Sequence, residues 1–223
     1  MGVNMEILVD SLQGSAAALN TTLQFDDGDV VYHQGDASQD IYLIVAGYLK
    51  FTQLDRAGSA TITAILDAGQ LFGEGLYGGK IAAATAMAKG KVTLQRYSNS
   101  AFTQLLAANS VFSRQVITML AQRQRLVERR LQAVLHLDVR SRIAVVLNDL
   151  STHFGGRCGH GHEVDVPLTQ QELSELVGAS RPVVSSRLND LRREGLLAYS
   201  RGYICVDDLE ALNAVACGIN SEM

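Results

Sequence analysis

From Ser110 to Phe154 the chain contains neither glycine nor proline, and so long a stretch free of both breakers reads as helix. Within it Val116, Leu120, Val127, Leu131 and Val134 recur at intervals of three, four or seven residues, flanked by Arg123, Arg125, Glu128, Arg129 and Arg130. An apolar seam with charged shoulders has to be covered by something. A helix over residues 111–136 would be roughly 39 Å long at 1.5 Å per residue, more than one small domain covers. A parallel coiled coil with a second copy of the chain is the simplest reading, and packing on its own domain is the alternative. Asp138 reads as an N-cap restarting a helix in which Ile143, Val146, Leu147, Leu150 and Phe154 form a second apolar face. A hinge is therefore expected at residues 136–138.

Ahead of this stretch, residues 30–33, 41–45, 48–53, 61–66 and 91–97 are β-branched or aromatic runs, separated by Gly28, Gly35, Gly47, Gly58, Gly69 and Gly73. Short strands at regular spacing with glycine turns predict an antiparallel roll or barrel. A short helix follows at residues 100–107. With 47% hydrophobic and 19% charged residues the chain can build two modest cores, which excludes a disordered chain. It carries neither a membrane-length apolar run nor a basic segment leading into an apolar one near its start, so a cytoplasmic protein without membrane partners is expected. Cys158, Cys205 and Cys217 make an odd count with no CxxC pair, which suits a reducing compartment.

The segment from Val166 to Val206 carries the most information. Thr169-Gln-Gln-Glu172 is a capping box that starts a helix, Leu173 and Leu176 give it an inner face, and Gly178 ends it. Ser180 then reads as the N-cap of a second helix, with Pro182 in its first turn and Val184, Leu188 and Leu191 as its apolar stripe. Two short helices around a glycine turn form a helix-turn-helix, whose second helix enters the major groove of double-stranded DNA. Its outward positions are Arg181, Val183, Ser185, Ser186 and Asn189. Residues 196–200 and 203–206 read as two strands around Arg201-Gly202, a wing. The net charge of −4 argues against bulk coating of nucleic acid. All four lysines, Lys50, Lys80, Lys89 and Lys91, lie in the first half, and the second half uses arginine alone for positive charge, the side chain suited to bidentate contact with guanine or phosphate.

The chain resembles the family of the cyclic-AMP receptor protein and the fumarate and nitrate reduction regulator over nearly its whole length. The likeness rests on Gly28-Asp-Val-Val, Gly35-Asp, Asp40-Ile-Tyr-Leu-Ile-Val-Ala-Gly47 and Gly69-Gln-Leu-Phe-Gly-Glu74, and on Leu137-Asp-Val-Arg-Ser-Arg-Ile143 and residues 168–197. In its DNA-binding half the run Arg181-Pro-Val-Val-Ser-Ser is closer to nitrogen-control members. The resemblance implies an α+β chain: an effector-binding β-roll over residues 1–110, a dimerisation helix and hinge over 111–137, and a winged helix-turn-helix over 138–223. It implies a homodimeric transcription regulator, with RNA polymerase as a further partner, reading a palindromic site. Arg181 matches the family arginine that reads a guanine, Pro182 replaces a common glutamate and Ser186 a second arginine. Thr169, Ser185, Ser186 and Arg201 are expected at phosphates, and Ser180 is counted with them among the DNA-binding residues.

For the effector, the resemblance points to Phe72, Gly73, Glu74, Gly75 and Leu76 in the roll. The arginine and serine that hold a cyclic nucleotide's phosphate in the family fall on Ala82 and Ala83, or on Ala84 and Thr85. Neither register supplies a guanidinium, which argues against cyclic AMP. Arg123 and Glu128 match positions that hold 2-oxoglutarate in nitrogen-control members, so that acid or another small acid is a candidate, and an Arg–Glu surface pair or an unliganded dimer is the alternative. An iron–sulfur cluster would need amino-terminal cysteines, and haem an axial ligand where only His33 is present. Cys158, His160 and His162 alternate with glycine and read as a flexible hairpin before a strand at 163–166, not as a metal or hydrolytic site. The alternative to DNA binding is a roll-type sensor acting through protein contacts.

Overall fold

The structure is a computed structural model that describes residues 20–158, 161–200 and 203–218. Its chain forms two compact units, residues 1–124 and 125–223.

In the first unit, strands β1 (Asn20–Phe25), β2 (Val30–Tyr32), β3 (Ile41–Leu54), β4 (Ala60–Leu66), β5 (Leu71–Phe72) and β6 (Thr85–Tyr97) form one antiparallel sheet. Its path runs β1-β6-β3-β4, with β2 on β6 and β5 on β3. The sequence divides β3 in two at Gly47, whereas the structure carries one strand through it. Gly47 has φ +86°, and a Cβ there would lie 2.2 Å from the Lys91 carbonyl oxygen. The pairing register with β6 shifts on both sides of Ala46, so this glycine bends a long strand at a bulge and does not end it.

Alternation along β3 feeds two cores. Tyr42, Ile44, Leu49 and Phe51 pack with Phe72, Val92 and Leu94. Ile41 and Leu43 face the other way, toward Phe102 and Leu105 of helix α1 (Asn99–Ala108) and Phe112, Val116 and Met119 of helix α2 (Ser110–His136). Asn109 joins the two helices: its Oδ1 accepts from the N–H groups of Val111 and Phe112 at 3.1 and 3.0 Å.

The seam expected along α2 divides. Val116 is only 5% exposed within the roll's own core, and Leu120 packs against that core. Val127, Leu131 and Val134 are 56, 56 and 54% exposed. The reading of five equivalent seam positions is therefore corrected: periodicity shows which positions are apolar, but not that the covering surface changes partway along the helix.

The second unit contains the rest of α2, α3 (Val139–Phe154), β7 (Gly155–Cys158), β8 (Gly161–Val164), α4 (Gln170–Val177), α5 (Arg181–Arg193), β9 (Leu197–Ser200), β10 (Tyr203–Val206) and α6 (Leu209–Ala216). Asp138 caps α3, accepting from the Ser141 N–H at 2.8 Å, and that bond holds its carboxyl below its usual range. The strands form a sheet ordered β7-β8-β10-β9. Where the sequence suggests a flexible hairpin, β7 pairs with β8, Cys158 opposite Gly161. Gly155 makes this possible, since a Cβ there would lie 1.9 Å from the Ser151 carbonyl oxygen. His162 lies in β8, and His160 lies outside the described residues.

Asp149 of α3 is buried, at 3% exposure. Its Oδ1 accepts from Arg129 Nη1 at 2.7 Å, and Arg130 Nε stands 3.9 Å from Oδ2. Both arginines belong to the last turns of α2, so this ion cluster joins α2 to α3. Among the described residues, no helix is long and apolar enough to cross a membrane.

Candidate nucleic-acid interface

The turn between α4 and α5 is held by local chemistry. The Thr169 hydroxyl accepts from the Glu172 N–H at 3.1 Å, and the Glu172 carboxylate accepts from the Thr169 N–H at 3.0 Å, a complete capping box. The Thr169 hydroxyl also donates to Glu172 Oε2 at 3.1 Å. In the structure its side chain serves the cap. Thr169→Ala should cost about 1 kcal/mol of stability, read as a lower urea midpoint with an unchanged slope.

Gly178 closes α4 at φ +68°, in the left-handed region where glycine is favoured. From α3, Arg142 Nη1 donates to the carbonyls of Val177 and Gly178 at 3.3 and 3.4 Å, a cation on the negative end of α4.

Helix α5 buries Val184, Leu188 and Leu191. At about 100° per residue the direction opposite that stripe holds Pro182, Ser186, Asn189 and Arg193, and all four are exposed. Arg181 and Val183 are exposed on its shoulders, and Ser185 is half-buried. Among the described residues, the Arg181 guanidinium makes no hydrogen bond, which leaves its fork open for a base edge or a phosphate. Ser180 stands at the N-cap without the expected side-chain cap bond. Pro182 removes one of the N–H groups such a cap would use, so the Ser180 hydroxyl stays available. Arg193 is not singled out by the sequence pattern. It shares the outward stripe four residues beyond Asn189, and it donates to Asp190 at 2.5 Å, as Arg187 does at 3.0 Å. The wing strands β9 and β10 pair as expected, Tyr203 opposite Ser200, and Arg201 lies outside the described residues.

In the roll, Phe72 stacks on Tyr42 with ring centroids 4.9 Å apart and meets Phe51 edge-on at 5.3 Å. Gly73 and Gly75 lie where a Cβ would come within 2.3 Å of the Asp40 and 2.1 Å of the Gln39 carbonyl oxygens. Glu74 Oε1 accepts from the Ala83 N–H at 2.9 Å, and Gln53 donates to the Ala83 carbonyl at 3.0 Å. The alanine segment at residues 82–84 is thus tied down by the protein's own side chains. Leu76 packs against the second roll core. Arg123 donates to the Leu71 carbonyl at 2.8 Å and to Gln70 Oε1 at 3.3 Å, and Glu128 is exposed.

A β-roll together with a winged helix-turn-helix defines a transcription regulator that binds DNA. Residues 22–109 match the model of the cyclic nucleotide-binding domain, and residues 141–215 match that of the Crp-like helix-turn-helix domain. The chain belongs to the CRP/FNR family of transcription regulators. The CRP-like cAMP-activated global transcriptional regulator of Mycobacterium tuberculosis is 29% identical over 202 residues, 88% of this chain and 89% of the relative. The global nitrogen regulator of Nostoc sp. strain PCC 7120 is 26% identical over 195 residues, 82% and 83% of the two chains. Among solved structures, the CRP-family regulator TTHB099 of Thermus thermophilus superposes with a TM-score of 0.72 at 26% identity, covering 87% of this chain and 96% of that one. A CooA mutant from Carboxydothermus hydrogenoformans shares the fold, with a TM-score of 0.79 at 19% identity over 94% and 95% of the chains.

Proposed function

We propose that the protein is a cytoplasmic homodimer whose two α5 helices read a palindromic site, the half-sites about one helical turn or 34 Å apart. The observation that carries this is the exposed surface of α5, with Pro182, Ser186 and Asn189 opposite a fully buried stripe and Arg181 exposed on its shoulder. Arg181 donates to guanine O6 and N7, Val183 and Asn189 border the neighbouring bases, and Ser180, Ser185, Ser186 and Arg201 hold phosphates. Val127, Leu131 and Val134 pair with the partner's seam, and RNA polymerase is engaged from the bound dimer.

The effector proposed for the roll is a small acid, with 2-oxoglutarate the first candidate, and not cyclic AMP. No arginine occupies residues 80–85, and the backbone there is already bonded to Glu74 and Gln53. Phe72, Gly73, Glu74, Gly75, Leu76, Arg123 and Glu128 remain the residues to vary.

The test is selection of genomic fragments by the purified protein at about 0.15 M salt, where unspecific phosphate binding is weak, with and without 2-oxoglutarate or cyclic AMP. A palindromic site enriched by 2-oxoglutarate supports the reading. Enrichment by cyclic AMP alone overturns the effector assignment, and a non-repeated single site overturns the dimer. On the selected site, Arg181→Ala should weaken binding by about 1–3 kcal/mol and relax one base position, read by fluorescence anisotropy on substituted duplexes.

A further inference from the structure

A cavity of about 470 Å³ opens in the second unit, between the last turns of α2, the middle of α3 and the end of α6. We propose that it is a binding site for a small, uncharged, largely apolar molecule headed by an amide or lactam, and that its occupancy adjusts DNA binding through the hinge.

The walls supply the apolar part. Ala133, Leu137, Val145 and Ala216 line the cavity, and Leu137 is itself the hinge residue between α2 and α3. The polar part is a paired amide edge. Asn148 Nδ2 donates to Asn213 Oδ1 at 2.6 Å, and both residues line the cavity. Whichever amide donates, the donor amide keeps one N–H and its carbonyl oxygen, and the acceptor amide keeps both of its N–H groups, none of them bonded elsewhere among the described residues. A donor beside an acceptor is the complement of a ligand carboxamide or lactam. Arg129 at the wall is already paired with Asp149, so the contact the cavity holds open for a guest is the amide edge and not an unpaired carboxylate.

The cavity lies apart from the roll site and from the outward face of α5. It also lies apart from the proposed dimer seam. At about 100° per residue, Arg129, Ala133 and His136 point about 180° away from Val127, Leu131 and Val134 around α2, so a partner seated on the seam does not cover it. A guest in contact with α2, α3 and α6 at once touches both sides of the hinge. If one hinge geometry binds DNA better, a guest that fits that geometry better must tighten DNA binding, and the reverse holds equally. This coupling rests on the dimeric reading above, whereas the cavity's occupancy does not.

Cys217 is exposed at the rim and reports occupancy in the unmodified protein. Alkylation by iodoacetamide is followed peptide by peptide by mass spectrometry, with Cys205 of β10 as the internal control. Benzamide is the probe and toluene its headless analogue. Benzamide should slow Cys217 labelling saturably, about fivefold at about four times its dissociation constant, with Cys205 unchanged and toluene weaker. Equal protection by toluene overturns the amide head, and protection by neither overturns the site. For the coupling, saturating benzamide and, separately, Ala216→Phe should each shift affinity for the selected palindrome by about fivefold or more. Unchanged affinity with Cys217 protected overturns the coupling and leaves the proposed DNA reading intact.

Discussion

Leu131→Asp should convert the protein to a monomer and lower its affinity for a palindromic site by about 10²- to 10⁴-fold, the advantage lost when a second half-site contact is no longer intramolecular. Leu131 is more than half exposed on α2, one turn from both Val127 and Val134. A carboxylate in the middle of that stripe would bring two like charges together at a two-fold seam and desolvate both. The fold should survive, because Leu131 contributes to no core among the described residues of its own chain. Sedimentation equilibrium reads the mass and fluorescence anisotropy reads the affinity. Val116→Asp provides the contrast: Val116 is buried in the roll's own core, so that substitution should unfold the first unit instead of separating subunits. A dimer that persists in Leu131→Asp would place the interface elsewhere.

Asp149→Ala should destabilise the second unit by about 3–5 kcal/mol, the cost of breaking a buried ion pair from one side. Arg130 is the reason. Burial already lowers its pKa from the ordinary value, with Asp149 opposing that shift, so removing the carboxylate strands a buried guanidinium. Asp149 has the converse problem, since burial raises its pKa more than Arg129 and Arg130 lower it. An acid whose folded pKa lies above its unfolded value is penalised for ionising in the folded state. That penalty is absent below the unfolded pKa, grows as pH rises, and is complete above the raised pKa. The stability of the parent protein relative to Asp149→Asn should therefore fall as pH rises from about 4, the ordinary aspartate range. Urea unfolding of the two proteins across about pH 4–7 checks the slope. Asp138 acts in the opposite sense: its pKa is lowered by the Ser141 N–H, so its capping contribution is present above the ordinary pKa and is lost as pH falls through the folded one.

How far the sequence can be read follows from the range of the forces involved. The caps at Thr169 and Asp138, the glycine at 178 and the apolar stripe of α5 are local, decided within four residues, and they stand in the structure where the pattern places them. Gly47 is ambiguous in the sequence because a turn and a bulge ask the same of a glycine; only the approach of Lys91, 44 residues on in sequence and known from the sheet register, tells them apart. Helix α6 leaves no sequence signal of its own, although Asp208 caps it through the Ala211 N–H, because an eight-residue helix offers too few turns for a period to show. Val116 and Leu131 cannot be separated by periodicity, since one helix serves two covering surfaces. The ion cluster of Asp149 is invisible for the same reason: aspartate in an amphipathic helix reads as a solvent-facing residue until the arginines that enclose it are placed beside it.

Arg142, two turns at most beyond the hinge, reaches across to the carbonyls that close α4. The turn that leads into α5 is therefore fastened to α3. On the proposed reading, substitutions along the outer stripe of α5 would retarget the protein to new operators while leaving this fastening intact, and changes where α2 meets α3 would alter its control while the same operators are recognised.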